Sequence, residues 1–216
     1  MSEIQFTFGM SDQELAEAKT VYASDLLKGQ RALITGGGSG IGYATAWLYA
    51  RLGATVILCG RDQDKLQTAV GKLTEHGLKA SFKPIDIREP DIIAGVMDEV
   101  FAEGGLDILV NNAGGQFPQL SIDFSPNGWK AVINNNLNGT WFMMQAAAQR
   151  WRDSDKPGCI INMVAVLDDS MHGFAHTIAA RAGVVKISEK TAVEWAPYNI
   201  RVNCVAPGVT DSSGMK

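Results

Sequence analysis

Gln30-Arg31-Ala32-Leu33-Ile34-Thr35-Gly36-Gly37-Gly38-Ser39-Gly40-Ile41-Gly42 is the stretch that decides the fold. It opens with a short, mostly apolar run that reads as a buried strand. The glycines that follow make a tight turn without a Cβ penalty. Tyr43 to Leu52 then has the length and residue mix of a helix. Strand, glycine turn and helix together are a phosphate cradle. The absent side chains let a pyrophosphate approach the backbone, and the helix N-terminus offers free N–H groups and a positive dipole.

Outward from this unit, apolar runs and helical stretches alternate. Ala54 to Cys59 is a second buried strand, and Asp62 can cap the helix that follows, to about Leu73. A strand at Ala80 to Ile85 precedes a helix from Pro90 to Ala102, and Ile108-Leu109-Val110 is the fourth strand. Ser125-Pro126 has the cap and first-turn proline of a helix start. That helix is expected to run long, to Trp151. Cys159 to Val164 is the fifth strand, Phe174 to Trp195 a long helix, and Ile200 to Ala206 the sixth strand. Such alternation implies a doubly wound parallel sheet of α/β class, a Rossmann fold in three αβα layers. Residues 1–28 form an arm in which Ser11-Asp12-Gln13-Glu14 is a capping box. Residues 29–216 form one dinucleotide-binding domain.

Composition excludes several classes. The chain has 216 residues, 46% apolar and 19% charged, with a net charge of −4, which disfavours a nucleic-acid or membrane-surface binder. No apolar run reaches membrane-span length and Met1 to Gln5 lacks signal-peptide character, so a cytoplasmic protein is expected. Cys59, Cys159 and Cys204 lie in or beside apolar runs and read as small buried hydrophobes. His172 and His176 make an H-x-x-x-H pair, but a metal would need a helix under both and a third ligand, so no metal is expected. His76 reads as a surface residue. Met143, Met144 and Phe117 read as packing rather than as the wall of a pocket.

In dinucleotide-binding units an acid at the end of the second strand selects NAD through the ribose hydroxyls. Here that position is Gly60, and Arg61 follows. A guanidinium pairs with a 2′-phosphate that a carboxylate would repel, so the cofactor is expected to be NADP(H). The alternative is that Arg61 is a surface arginine and Asp62 does the acid's work.

The T-G-x-x-x-G-x-G spacing from Thr35 to Gly42 resembles the short-chain dehydrogenase/reductase family. Asn111-Asn112-Ala113-Gly114 resembles its N-N-A-G motif, and Pro207-Gly208 its P-G after the sixth strand. The resemblance implies that Thr35, Gly36, Ser39, Gly40, Ile41 and Gly42 cradle the phosphates. It puts Asp86 and Ile87 at the adenine, Asn112, Ala113 and Gly114 at the nicotinamide-side ribose, and Pro207 and Gly208 at the carboxamide. The family's catalytic residues match less well. Asn136 matches its helix asparagine. Its strand-end serine pair is replaced by Val164-Ala165, and its Tyr-x-x-x-Lys by Thr177-Ile178-Ala179-Ala180-Arg181. Arg181 can hold the ribose, but Thr177 is a far poorer acid than a phenol.

Asn112 to Phe117, His176 to Gly183 and Glu194-Trp195 resemble one branch of the family, the peroxisomal trans-2-enoyl-CoA and 2,4-dienoyl-CoA reductases. The resemblance covers Leu26 to Val209. It implies an NADPH-dependent enzyme of fatty acid metabolism that reduces a carbon–carbon double bond of an acyl-CoA-type substrate and assembles as a homo-oligomer, a homotetramer in many members. The thioester oxygen then takes the developing negative charge and needs hydrogen-bond donors. Asn136, Thr177 and Arg181 are the candidate catalytic residues; Asp168 and Asp169 read first as solvated loop acids or caps, with the orienting of a water as the alternative. A ketone or alcohol substrate, or a non-catalytic NADP(H)-binding homologue, are the alternatives. Family members continue past Thr210 with a substrate-covering segment, a helix and a final strand, so this chain is expected to be C-terminally incomplete and to lack that edge strand.

Overall fold

The computed structural model describes residues 9–166 and 172–212. Six strands, β1 (Arg31–Thr35), β2 (Thr55–Gly60), β3 (Ala80–Pro84), β4 (Ile108–Asn111), β5 (Gly158–Met163) and β6 (Ile200–Val205), form one sheet. Its order is β3-β2-β1-β4-β5-β6 and every neighbouring pair is parallel. The order reverses between β1 and β4, the crevice where open α/β sheets take ligands. Among the described residues β6 is an edge, and Arg201, Asn203 and Val205 on it are exposed.

Helices α1 (Asp12–Glu17), α2 (Gly40–Arg51), α3 (Gln63–Glu75), α4 (Pro90–Ala102), α5 (Pro126–Ile133), α6 (Gly139–Asp153) and α7 (Ala175–Glu194) connect and cover the strands. Alternate strand residues feed two cores. Leu33, Ile57, Leu109, Ile160 and Val202 pack with Met97, Met143, Met144 and Trp151 on one face. Ala32, Ile34, Val56, Leu58 and Val110 pack with Trp47, Leu66 and Leu73 on the other. Both methionines are fully buried, as their reading as packing requires. Trp151, also fully buried, donates from Nε1 to the Leu106 carbonyl, 2.5 Å away.

The arm behaves as its capping box dictates. Ser11 Oγ accepts the Glu14 N–H, and the Glu14 carboxylate accepts the Ser11 N–H. Leu15 is buried against the second core, and Arg51 at the end of α2 donates to the carbonyls of Leu15 and Ala18. Of the cysteines, Cys59 is buried, whereas Cys159 and Cys204 are only half-buried.

The helix expected from Ser125 to Trp151 is present, with one irregularity inside it. Between α5 and α6 a π-turn, Asn134–Asn138, adds a residue to the spiral. Such turns concentrate at functional sites because they re-aim a side chain. The side chain re-aimed here is Asn136. Immediately beyond, Gly139 lets α6 approach Ile87, whose side chain would lie 2.7 Å from a Cβ at that position.

Candidate active site

Thr35, the last residue of β1, holds the glycine turn. Its Oγ1 accepts the N–H groups of Asn112 and Ala113 at 3.0 and 2.9 Å and donates to the Val110 carbonyl. Asn112 returns the tie through Nδ2, which donates to the carbonyls of Thr35 and Gly36. Glycine is required at position 42: a Cβ there would fall on the Asn112 amide and 2.5 Å from the Gly36 carbonyl oxygen. The space is left for the backbone, so the N-terminus of α2 seats directly on the turn. α2 begins at Gly40, earlier than the expected Tyr43, and its Ser39 cap position makes no side-chain cap bond.

Beside this turn lies an open cavity of about 500 Å³. Gly36, Gly38 and Ser39 form one wall, Arg61, Asp62 and Lys65 one end, Ile85, Asp86 and Ile87 the floor, and Ala113, Gly114 and Asn135 the other end. Its size, its glycine wall and the start of α2 fit an extended phosphate-bearing ligand such as a dinucleotide.

At the first end, Asp62 is committed to α3, where its carboxylate accepts the Lys65 N–H at 3.0 Å. Arg61 and Lys65 are exposed and make no ion pair among the described residues. Asp86 faces the cavity but is held by Arg88, whose backbone N–H and guanidinium both reach its carboxylate. Those bonds hold its pKa down at about 2, with a smaller contribution from the nearby Arg61 charge. Ile87 lines the same floor and also belongs to the core.

At the other end, Asn136, Arg181 and Gly114 meet. Asn136 is buried, and its amide holds the Gly115 backbone: Oδ1 accepts the Gly115 N–H at 3.0 Å and the Asn135 Nδ2 at 3.2 Å, and Nδ2 donates to the Gly115 carbonyl at 2.9 Å. It therefore positions the loop after β4. Arg181 is 9% exposed and its Nη1 donates to the Met163 carbonyl at the end of β5. The Arg181 Nη2 fills the space that a Cβ on Gly114 would need. Burial lowers the guanidinium pKa to about 10, and among the described residues no carboxylate pairs with it. α7 is set at this height by a buried chain: Asn111 Nδ2 donates to Asn162 Oδ1, and Asn162 Nδ2 donates to Ser188 Oγ, both at 2.8 Å.

Thr177 lies one turn before Arg181 on α7 and is 2% exposed. Its neighbour His176 is fully buried between Phe117 and Phe124. Sequence reasoning weighed His176 only as half of a metal pair. The structure separates that pair, since His172 precedes α7 and is exposed. Phe117 packs on this histidine, and His76 is exposed with its ring against Trp47. Asn112, Ile41, Gly40 and Gly42 brace the cradle without lining the cavity, and Pro207 and Gly208, which follow β6, do not line it either. Asp168 and Asp169 lie outside the described residues. Lys65 at the first end went unnoticed in the sequence, because an exposed helix lysine carries no pattern.

The family model described as short chain dehydrogenase matches residues 30–216. A Bacillus subtilis protein named a probable 2,4-dienoyl-CoA reductase is 41% identical over 84% of this chain and 73% of its own length. A peroxisomal 2,4-dienoyl-CoA reductase of Arabidopsis thaliana is 38% identical over 87% of this chain and 66% of its own. The chain thus spans about two thirds to three quarters of these relatives. A 3-oxoacyl-(acyl-carrier-protein) reductase of Chlamydia trachomatis is 34% identical over 89% of this chain and 79% of its own. Among solved structures, a citronellol catabolism dehydrogenase of Pseudomonas aeruginosa superposes with a TM-score of 0.83 at 37% identity, covering 88% of this chain and 78% of that one. A gluconate 5-dehydrogenase of Burkholderia cenocepacia, solved with NADP and tartrate, superposes with a TM-score of 0.80 at 33% identity over 87% of this chain and 74% of that one. On the match of its glycine turn, sheet order and nearly the whole of its length, the chain belongs to the short-chain dehydrogenase family of oxidoreductases.

Proposed function

We propose that the protein reduces a carbon–carbon double bond conjugated to the carbonyl of an acyl-CoA thioester, with NADPH as reductant. The observation that carries the reading is the pair Thr177 and Arg181 on α7, buried where alcohol–ketone chemistry would need a phenol and an amine. A threonine hydroxyl gives up its proton far less readily than a phenol. Reduction of an activated alkene needs no acid on the carbonyl oxygen, only donors that stabilise negative charge there. The relatives named as dienoyl-CoA reductases support the same assignment.

The chain's residues divide the work. Thr35, Gly36, Ser39, Gly40, Ile41 and Gly42 present the start of α2 to the pyrophosphate. Arg61 and Lys65 supply cations for a 2′-phosphate and outnumber the single carboxylate beside them, Asp62, which caps α3. Ala113 and Gly114 leave room for the ribose that Arg181 holds, with Ile87 and Asp86 toward the adenine and Pro207-Gly208 toward the carboxamide. Asn136 fixes the Gly115 backbone at the edge of the reacting site. Bound NADPH would supply the hydride to one alkene carbon, and a proton from water, delivered to carbon, would complete the reduction. Thr177 is 2% exposed, and the exclusion of water there strengthens every donor to the substrate oxygen.

A fluorescence titration with NADPH and NADH, followed by addition of crotonyl-CoA and 2,4-hexadienoyl-CoA, tests this. Binding should favour NADPH by at least about tenfold, the worth of one charge-assisted pair, and either thioester should be reduced. A second reading, reduction of a 3-oxoacyl ketone, has the Chlamydia relative in its favour. Reduction of ethyl acetoacetate with both enoyl thioesters left intact would replace the first reading by the second.

A further inference from the structure

We infer that His176 is the hydrogen-bond donor to the substrate's carbonyl oxygen, doing from the start of α7 what the missing phenol does not. The inference rests on the carbonyl-activating chemistry of the preceding section, and it holds for a thioester or a ketone oxygen alike.

The tautomer comes first. His176 Nδ1 accepts the Thr177 backbone N–H at 2.8 Å and lies 3.4 Å from Thr177 Oγ1. An Nδ1 that accepts places the ring proton of a neutral imidazole on Nε2. That Nε2–H is buried and has no hydrogen-bond partner among the described residues. A buried donor left unmade costs about 1–3 kcal/mol, so folded proteins rarely keep one without a use. The ring sits in an aromatic slot, with the Phe117 centroid at 4.7 Å edge-on and the Phe124 centroid at 4.4 Å.

Phe117 and Phe124 are only half-buried, while Gly114, Gly115 and Gln116 immediately before Phe117 are exposed. The same loop forms the end of the cavity at Gly114 and is fastened by Asn136 at Gly115. A flat conjugated acyl group that displaces the Phe117 ring meets the Nε2–H with its carbonyl and the Phe124 ring with its π-face.

The chain contains three histidines, so nitrogen NMR of histidine-labelled protein resolves them, with H76Q and H172Q assigning the other two. His176 should show the Nε2–H tautomer. Its Nε2 resonance should move when hexanoyl-CoA, a saturated thioester, is added with NADP+, or when ethyl acetoacetate is added if the ketone reading is right. H176F, which keeps an aromatic ring in the slot, should bind NADPH as the wild type does and lose about 100-fold in kcat. H176Q, which retains an N–H, should recover to within about tenfold of the wild type. Movement with the ketone alone keeps His176 and discards the thioester reading. Reduction of crotonyl-CoA by H176F at the wild-type rate overturns the role of His176 and leaves the thioester reading intact. A His176 resonance unmoved by either carbonyl compound overturns it whatever the turnover.

Discussion

The two ends of the site differ in how their polar groups are spent. At the glycine turn, Thr35 Oγ1 serves two N–H groups and one carbonyl, and the Asn112 amide closes back on the turn. At the α7 end, among the described residues, Arg181 makes a single hydrogen bond from a buried guanidinium and the His176 Nε2–H makes none. The glycine turn is complete as protein, and a ligand there meets backbone N–H groups and space, with Ser39, Arg61 and Lys65 at its margin. The second carries buried polarity whose cost is offset only when something binds. A scaffold can be stable at one end and strained by desolvation at the other because the sheet between them is packed on both faces.

Breaking the complete end should have the largest effect. In G42V the new side chain meets the Asn112 amide and the Gly36 carbonyl, neither of which can withdraw without opening the β1–β4 staple. The expected loss is about 3 kcal/mol or more in urea unfolding, with NADPH binding abolished. Breaking the other end should separate stability from function. R181M removes a buried cation that lacks an acidic partner among the described residues and substitutes an apolar chain of similar length. The melting temperature should hold or rise, since such replacements are often neutral or stabilising, while kcat falls by about 100-fold. A melting temperature that drops as far as that of G42V would erase the contrast between the ends.

This contrast explains what the sequence could reveal. The strands and the glycine turn are written locally, in apolar runs and glycine spacing, so β1 to β6 appear where the residues place them to within a residue or so. The capping box at Ser11 and the cap at Asp62 are equally local. The π-turn at Asn134–Asn138 is not. The asparagines at 134, 135, 136 and 138 and the following Gly139 hint at an irregularity without placing it, because its cause is tertiary: Asn136 must reach Gly115, and Gly139 must clear Ile87. The burial of His176 is hidden for the same reason. Phe117 and Phe124 lie more than fifty residues upstream, and an isolated histidine beside alanine and threonine carries no pattern. The exposed turn at Pro207-Gly208 shows the converse, a motif recognised by resemblance whose residues lie off the described cavity.

A milder test concerns the cationic rim of the complete end. R61A removes a charge that stands free of ion pairs among the described residues at the mouth of the cavity. NADPH affinity should fall by about tenfold while NADH affinity stays the same, as read by fluorescence titration. K65A should act in the same direction and more weakly, because a flexible ammonium makes one point contact where a guanidinium makes two. An equal loss for both cofactors would mean that Arg61 shapes the loop rather than reads a phosphate.

The smallest effect belongs to Asp86, where the site's polarity is partnered within the chain. Its folded pKa, about 2, lies below the value of an unpaired aspartate because Arg88 bonds to the carboxylate. A depressed carboxylate pKa means that the unfolded chain takes up the proton first. The Asp86–Arg88 contribution is therefore present above about pH 4, the unfolded value, and is lost as pH falls toward 2. Arg88 is 40% exposed, so solvent limits the contribution to about 1 kcal/mol at most. D86N should be slightly less stable than the wild type at pH 6, and the two unfolding curves should converge by pH 2. If they stay apart at pH 2, the carboxylate supports the loop through its shape and not its charge. In that case Asp86 belongs with Asn136, as a polar side chain whose task is to hold backbone.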